Sequence, residues 1–269
     1  MNSPTVLKVT LVQQNLIWEN IEANLNNFST LINSLKEETH VIILPEMFST
    51  GFTMKPELYA QTMEGSAVAH LRQWAQITGA AVCGSLIIED EGNYFNRFIW
   101  VEANGRLIQY NKAHLFRMGE EQLHYSKGSE RIIINYRGWR ITPFICYDLR
   151  FPVWCRRTNS FDYDLLIVVA NWPEKRNLHW KVLPQARAIE NQAFIITVNR
   201  TGEDGNLFFH AGDSCVFDPT GNLLFNAGKD EILKTIEINL EEVIQYRKSF
   251  PVGLDTDNFQ ITNECNDIA

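Results

Sequence analysis

The first 80 residues alternate short apolar strands with amphipathic helices, and this alternation is the strongest constraint on the fold. Residues 8–14 and 40–46 are apolar runs typical of strands. Apolar residues recur at helical spacing over 21–35 and again over 68–75. A βαβα order is typical of a sheet that carries helices on its faces.

Strands outnumber helices in the rest of the chain. The Asn104-Gly105 pair predicts a tight hairpin, and helices are predicted over 150–157 and 178–191. Further strands are predicted over 80–88, 95–103, 107–111, 131–136, 140–146, 164–171, 194–199, 214–218, 223–226 and 233–238, the last three as a meander. About a dozen strands would make one sheet unusually large. The sequence therefore predicts an α/β fold with two mixed β-sheets packed face to face and helices on the outer faces.

No repeat, low-complexity tract or Pro/Gly/Ser-rich linker interrupts these segments. We therefore expect residues 1–269 to form a single domain, with its core at about 6–250. Residues 251–269 are polar and acidic. Such a tail is either disordered or lies on a partner subunit.

Composition excludes several classes of protein. Hydrophobic residues make up 45% of the chain, which is enough for a sizeable core. The net charge of −8 and the lack of a basic run argue against nucleic acid as a partner. The longest apolar runs are far shorter than the ~20 residues of a membrane span, and residues 1–10 show no secretory signal. We expect a cytoplasmic protein that does not bind membranes.

The cysteine and histidine patterns favour neither disulfides nor metal. Five cysteines, at 83, 146, 155, 215 and 265, include no C-x-x-C pair. His114, His124 and His179 lack the spacing of metal ligands. No metal or cofactor is therefore expected, and most of the cysteines are interpreted as small buried side chains.

Three predicted strands end in side chains of different chemical kinds. Glu46 closes one strand, Lys112 closes the second strand of the hairpin, and Cys146 stands where a strand meets a helix. A strand-to-helix turn projects a thiol and places backbone N–H donors beside it. A nearby cation and a carboxylate base would make that thiol a nucleophile. Taken singly, Glu46 and Lys112 are more typical of ordinary solvated positions than of catalytic ones.

These three positions, with their neighbours, resemble the Glu–Lys–Cys triad of the nitrilase superfamily, the carbon–nitrogen hydrolases. The resemblance extends from Val9 to about Pro251. It is strongest to the ω-amidase branch, which hydrolyses the terminal amide of 2-oxoglutaramate and 2-oxosuccinamate. The segments that carry it are 46–52, 112–116, 146–152 and 186–192.

The resemblance implies a four-layer αββα sandwich, usually dimerised, and a thiol amidase that acts on a small-molecule amide. Members carry a second glutamate after the lysine, for which Glu121 fits the family spacing better than Glu120. Glu46 would act as base, Cys146 as nucleophile, and Lys112 with the Tyr147 N–H as oxyanion donors. Further residues interpreted as pocket walls are Tyr147, Phe116, Asn171 and Trp172.

Two alternatives stay open from the sequence. The same site could act on a nitrile, an N-carbamoyl compound or a deaminated thiol peptide, or the chain could be a non-catalytic scaffold with this fold. For Lys112→Met, removal of a partly buried charge predicts a large loss of kcat with stability little changed or raised.

Overall fold

The computed structural model describes residues 5–257 and 259–261, and within them twelve of fourteen strands form two six-stranded sheets. The first sheet has the order β14-β1-β2-β3-β4-β5 and the second β13-β12-β9-β8-β7-β6, while β10 and β11 form a separate hairpin. The strands are β1 Val6–Gln13, β2 Val41–Ile43, β3 Ala81–Asp90, β4 Asn93–Val101, β5 Leu107–Asn111, β6 Ile134–Tyr136, β7 Trp139–Ile145, β8 Leu165–Ala170, β9 Phe194–Asn199, β10 Thr201–Glu203, β11 Phe209–Ala211, β12 Cys215–Phe217, β13 Leu223–Asn226 and β14 Ile232–Asn239.

Both sheets are mixed and are built alike. Three parallel strands, β1-β2-β3 in one and β7-β8-β9 in the other, form the centre of each sheet. Antiparallel strands extend both sides of each centre. The middle strand of each parallel set, β2 or β8, is apolar and buried along its whole length, as expected for strands that are covered on both sides.

The two sheets share one hydrophobic core. Leu7, Val9 and Leu11 of β1 point into it, whereas Val12 points to the opposite face. In β2, Val41 and Ile43 face the core shared by the sheets, and Ile42 faces outward. This alternation follows from the period of two along a strand. It places one apolar face of the first sheet against the second sheet and the other face against helices.

Helices cover the outer faces and complete four layers. The helices are α1 Ile21–Ser34, α2 Pro56–Tyr59, α3 Ser66–Thr78, α4 Glu121–His124, α5 Pro152–Cys155, α6 Asn177–Asn191 and α7 Leu240–Ser249. Phe28 of α1 and Trp74 of α3 pack together on the outer face of the first sheet. Helix α6 packs on β9 and β12 of the second sheet. The predicted α/β sandwich of two mixed sheets with outer helices is confirmed.

Two local predictions differ from the structure, and two elements were not predicted. Residues 233–238 do belong to a strand, but β14 pairs with β1 in the first sheet and does not extend the meander of β12 and β13. The β10–β11 hairpin was not predicted. The helix predicted over 150–157 is confined to α5, because Pro152 starts it after a short 3₁₀ turn. Helix α7 was not predicted.

None of the helices that the structure describes combines the length and apolar composition of a membrane span. The tail predicted over 251–269 begins with a 3₁₀ turn at Val252–Asp255. Residues 258 and 262–269, and with them Cys265, lie outside the described part of the chain. The role of the tail at a subunit interface stays a prediction.

Candidate active site

The candidate residues follow strands whose carboxyl ends meet at one edge of the sandwich. Glu46 follows β2, and Cys146 and Asn171 follow the parallel strands β7 and β8. Lys112 follows β5, which runs parallel to β3 because two successive antiparallel pairings restore the strand direction. Ligand sites of open α/β sheets lie at such carboxyl ends. The topology therefore brings together side chains that are 25 to 125 residues apart in sequence.

Cys146 stands on a sharp turn between β7 and a 3₁₀ helix over Cys146–Arg150. Its φ angle is +45°, in the left-handed region that a residue with a Cβ rarely adopts. The residue is partly exposed, whereas Cys83, Cys155 and Cys215 are buried. The turn thus places one thiol next to the first N–H groups of a helix, which lack intrahelical acceptors.

Asp148 braces this turn from beneath. Its Oδ2 accepts hydrogen bonds from the Ile145 N–H at 3.0 Å and the Tyr110 hydroxyl at 2.8 Å. Its Oδ1 accepts from the His114 N–H at 2.9 Å and lies 2.8 Å from His114 Nδ1. Because Tyr110 and His114 flank Lys112 in sequence, the buried Asp148 carboxylate fixes the Cys146 turn against the segment that carries Lys112.

Glu46, Lys112 and Glu121 form a fully buried charged cluster. Lys112 Nζ donates to Glu46 Oε1 at 2.9 Å and to both carboxylate oxygens of Glu121, at 3.0 and 2.9 Å. All three ammonium hydrogens therefore have carboxylate acceptors. Glu121 Oε2 also accepts the Phe116 N–H at 2.6 Å. The adjacent Glu120 is exposed, so the geometry selects Glu121 as the partner of Lys112.

The second oxygen of Glu46 is held by Asn171. The Asn171 N–H donates to Glu46 Oε2 at 2.7 Å, and its side-chain amide donates to the Glu46 carbonyl at 2.5 Å. Asn171 Oδ1 is buried and has no protein hydrogen-bond partner. Asn171 thus orients the glutamate and keeps one acceptor unused beside the cavity.

Mutual electrostatics shift the pKa values in the cluster. Burial alone would lower the pKa of Lys112, but the charges of Glu121 and Glu46 outweigh it and raise that pKa. Burial and the charge of Glu46 raise the pKa of Glu121, against the opposing effect of Lys112. Burial, and then Glu46, also raise the pKa of the Cys146 thiol well above its usual range. The resting thiol is therefore protonated and needs a base to become a nucleophile.

A cavity of about 790 Å³, open to solvent, leads to Cys146. All four predicted pocket residues line it, together with four Phe or Met side chains and several charged groups that the sequence did not indicate. The lining includes Phe52, Met54, Lys112, Phe116, Met118, Cys146, Tyr147, Arg150, Asn171, Trp172, Lys175, Arg176, Asp204, Phe208 and His210.

Two arginines on the cavity wall have no carboxylate partner among the described residues. Arg150 stacks over Trp172 at 4.4 Å and hydrogen-bonds His179 at 3.1 Å, while Arg176 stacks over Phe116 at 5.0 Å. Burial lowers the pKa of each, and the charge of Arg176 contributes at Arg150. Arginine stays charged in proteins, so this wall holds two partly buried guanidinium charges that lack carboxylate partners among the described residues.

Asp204 is the acidic residue on the same wall, and its carboxylate is already engaged. Its Oδ1 accepts from the Asn206 and Phe208 N–H groups at 2.8 and 3.0 Å, which fixes the turn of the β10–β11 hairpin. Its Oδ2 lies 4.0 Å from His210 Nε2. Across residues 5–257 and 259–261, no cluster of three His, Cys, Asp or Glu side chains has the arrangement of a metal site.

Sequence reasoning missed Asn96 and Arg176. Asn96 lies inside β4, where a polar residue is commonly interpreted as facing solvent, yet it is fully buried beside the glutamates. Arg176 stands five residues after Asn171 in a charged segment that resembles a surface loop. The proximity of Asn171-Trp172 to the site was the available signal for Arg176.

Comparisons with known proteins show the family of the chain. The family model for carbon-nitrogen hydrolases matches residues 8–248. The chain is 43% identical over 256 residues to the omega-amidase YafV of Escherichia coli K12, covering 95% of this chain and 98% of that protein. It is 33% identical over 247 residues to a 2-oxoglutaramate amidase of Bacillus subtilis, covering 91% and 95%.

A solved structure shows the same architecture. A CN-hydrolase superfamily protein from Xanthomonas campestris, with an arsenic adduct in its active site, superposes with a TM-score of 0.93 at 40% identity, covering 96% of this chain and 99% of that one. The chain therefore belongs to the carbon–nitrogen hydrolases of the nitrilase superfamily, and it is a hydrolase of carbon–nitrogen bonds other than peptide bonds.

Proposed function

We propose that this protein is an ω-amidase that hydrolyses the terminal amide of short 2-oxo dicarboxylic acid monoamides, such as 2-oxoglutaramate and 2-oxosuccinamate, to the acid and ammonia. Cys146, Glu46, Lys112 and Glu121 are its proposed catalytic residues. The observation that carries the proposal is the cavity that joins the Cys146 thiol to two unpaired arginines. The relatives that are ω-amidases support the same choice.

The first half of the reaction forms a thioester. Glu46 takes the Sγ proton of Cys146, and the sulfur attacks the amide carbon to give a tetrahedral oxyanion. The C–N bond then breaks, and the proton held by Glu46 passes to the leaving nitrogen as ammonia departs. Asn171 Oδ1, buried without a partner beside the cavity, is available to accept an N–H of the substrate amide.

The second half returns the free enzyme. Water gives a proton to Glu46 and attacks the thioester carbon, the C–S bond breaks, and the sulfur recovers the proton. Lys112 and the Tyr147 N–H stabilise the oxyanion in both halves. Because all three Lys112 hydrogens are bonded to glutamates at rest, one bond to Glu121 is released when the oxyanion forms. Glu121 then positions the substrate and water.

The charges in the cavity select an anionic amide. The buried cluster holds two carboxylates and one ammonium, and the wall adds the guanidinium groups of Arg150 and Arg176. A substrate with a carboxylate at one end and an amide at the other can pair with the arginines while its amide reaches Cys146. The aromatic side chains under both guanidinium groups fix their orientation.

A substrate panel with arginine variants tests this assignment. We expect kcat/KM for 2-oxosuccinamate and 2-oxoglutaramate to exceed that for glutamine, N-carbamoyl-β-alanine, butyramide and propionitrile. Arg150→Leu and Arg176→Leu should each raise KM for 2-oxoglutaramate by about tenfold or more, the scale of a lost charge-assisted hydrogen bond. Ammonia release is the measurement.

Lys175→Leu is the matched control, because Lys175 is an exposed cation on the same wall that lies over Phe208. It should change KM little, and butyramide hydrolysis should be insensitive to all three changes. Faster hydrolysis of the nitrile, or of the N-carbamoyl compound, would move the assignment to another branch of the superfamily. No ammonia from any compound would favour the non-catalytic scaffold.

We further propose that the protein is a cytoplasmic homodimer. The odd number of cysteines without a disulfide pattern suits a reducing compartment. Helix α6 exposes Leu178, Val182 and Ile189, which are 71%, 50% and 50% exposed and fall on one side of the helix. Leu223 of β13 continues this apolar surface at 53% exposure. Exposed apolar patches of this kind mark subunit interfaces.

Sedimentation tests the dimer. The wild-type protein should sediment at about twice 31.0 kDa at micromolar concentration. Val182→Glu should shift it to the monomer, because a charge would be buried without a partner. Ile77→Glu is the control, since Ile77 is 54% exposed on α3 in the opposite layer. A wild-type monomer at every concentration up to the millimolar range would contradict the proposal.

A further inference from the structure

Asn96 lies between the two glutamates of the site. Its side-chain nitrogen donates to Glu46 Oε1 at 2.8 Å and to Glu121 Oε1 at 3.2 Å, so both amide hydrogens point at carboxylates. The residue has no exposed surface. A neutral donor of this kind touches both acids without adding a charge of its own.

A hydrogen-bond relay fixes which end of the Asn96 amide faces the glutamates. The Met47 N–H donates to Ser85 Oγ at 2.9 Å, so the Ser85 hydroxyl hydrogen is free to be donated onward. Ser85 Oγ lies 2.8 Å from Asn96 Oδ1 and donates to it. Asn96 Oδ1 is thereby occupied, and Nδ2 must point toward the carboxylates. The relay starts at the residue that follows Glu46 and returns to the Glu46 side chain.

The charges around Asn96 leave the two carboxylates under-compensated. Lys112 is the cation that bonds both carboxylates, so the three groups together carry one net negative charge. Burial and the charge of Glu46 both raise the pKa of Glu121. Cys146 faces the pair as a neutral thiol, and Tyr125 faces it as a neutral phenol whose pKa is raised by burial and by Glu121.

We propose that Asn96 is a positioning residue that keeps Glu46 and Glu121 ionised together, so that Glu46 can take the Cys146 proton at neutral pH. A hydrogen bond to the ionised form of an acid lowers its pKa. Loss of the amide should therefore disfavour ionisation of both acids at once and move the acid limb of activity to higher pH. This inference rests on the proposed catalytic role of Glu46.

The test is the pH dependence of two measurements, kcat/KM for 2-oxosuccinamate and the rate of Cys146 alkylation by iodoacetamide. In Asn96→Ala, the acid limb of both profiles should move up by about one pH unit or more, the contribution of hydrogen bonds to a charged acceptor. At pH values below the wild-type limb kcat should fall about tenfold, and the loss should shrink as the pH is raised.

Ser85→Ala provides a second variant in case Asn96→Ala does not fold. It releases Asn96 Oδ1 and lets the amide turn over, so the limb should move in the same direction by less. Thr197→Val is the matched control, because Thr197 is a fully buried hydrogen-bonding residue in the other sheet. It should lower the melting temperature without moving either limb.

The two readouts separate this inference from the substrate assignment. If no 2-oxo acid amide is hydrolysed, the alkylation profile still reports the effect of Asn96 on the thiol and its base. Unchanged acid limbs in folded Asn96→Ala, or in Ser85→Ala where the first variant does not fold, would overturn the proposal. A loss of activity by the same factor at every pH would also overturn it, because that pattern indicates structural damage alone.

Discussion

Cys146→Ala should abolish amide hydrolysis while leaving the fold intact. Without the sulfur no thioester forms, and removal of the nucleophile in comparable hydrolases lowers kcat by about 10⁴-fold or more. Cys146 lines the cavity, so truncation of its side chain enlarges that cavity and creates no closed void in the core. Ammonia release and the thermal midpoint, measured on the same preparation, check the two halves of the prediction.

Cys155→Ala is the control for that experiment. Cys155 is also a free cysteine, but it is buried in the core and does not line the cavity. The variant should lose about 1 kcal/mol of stability and keep its turnover. Turnover that survived in Cys146→Ala and disappeared in Cys155→Ala would show that the nucleophile had been wrongly assigned.

Lys112→Met should lower kcat at least 100-fold, because a charged oxyanion donor is lost. It should also destabilise the protein by about 3 kcal/mol at pH 7, since two buried carboxylates would remain without their cation. Kinetics and denaturant unfolding measure the two effects. Lys8→Met, at a lysine that is only partly buried, should change stability by no more than ~0.5 kcal/mol.

The loss of stability in Lys112→Met should depend on pH in a defined direction. Burial and Glu46 already raise the pKa of Glu121, and removal of the ammonium raises it further. The folded variant then binds a proton that the unfolded chain, with its ordinary carboxyl pKa, does not bind. Its stability should therefore increase as the pH falls toward the unfolded value and decrease as the pH rises. Equal destabilisation at pH 5 and pH 8 would contradict the model of two uncompensated carboxylates.

The loss of stability expected here for Lys112→Met is opposite to the prediction from sequence, which was that stability would be little changed or raised. That expectation treated Lys112 as one partly buried charge. Two glutamates, 66 and 9 residues away in sequence, bond its ammonium. Sequence spacing does not show that both carboxylates bond one cation. The direction of the stability change could therefore be predicted only from the three-dimensional structure.

Site residues that lie at the ends of strands could be predicted from the sequence, whereas a site residue inside a strand could not. Glu46, Lys112 and Cys146 end apolar segments, and parallel strands bring their carboxyl ends to one edge. Asn96 occupies an interior position of β4, where alternation between two faces hides a buried polar role. The pairing of β14 with β1 could not be predicted either, because a period of two in the sequence indicates a strand but does not show which strand it pairs with.

The pairing of β14 with β1 has a consequence for synthesis of the chain. Val6 pairs with Asn239, so the partners are separated by 239 − 6 = 233 residues. At about 5–20 residues per second, translation between them takes on the order of 10 to 50 s. Throughout that interval the edge of β1 that pairs with β14, eight residues long, lacks its native partner. An unpaired strand edge is a template for aggregation. Shielding of this edge during translation, for example by a chaperone, would therefore raise the yield of active enzyme without changing its folded state.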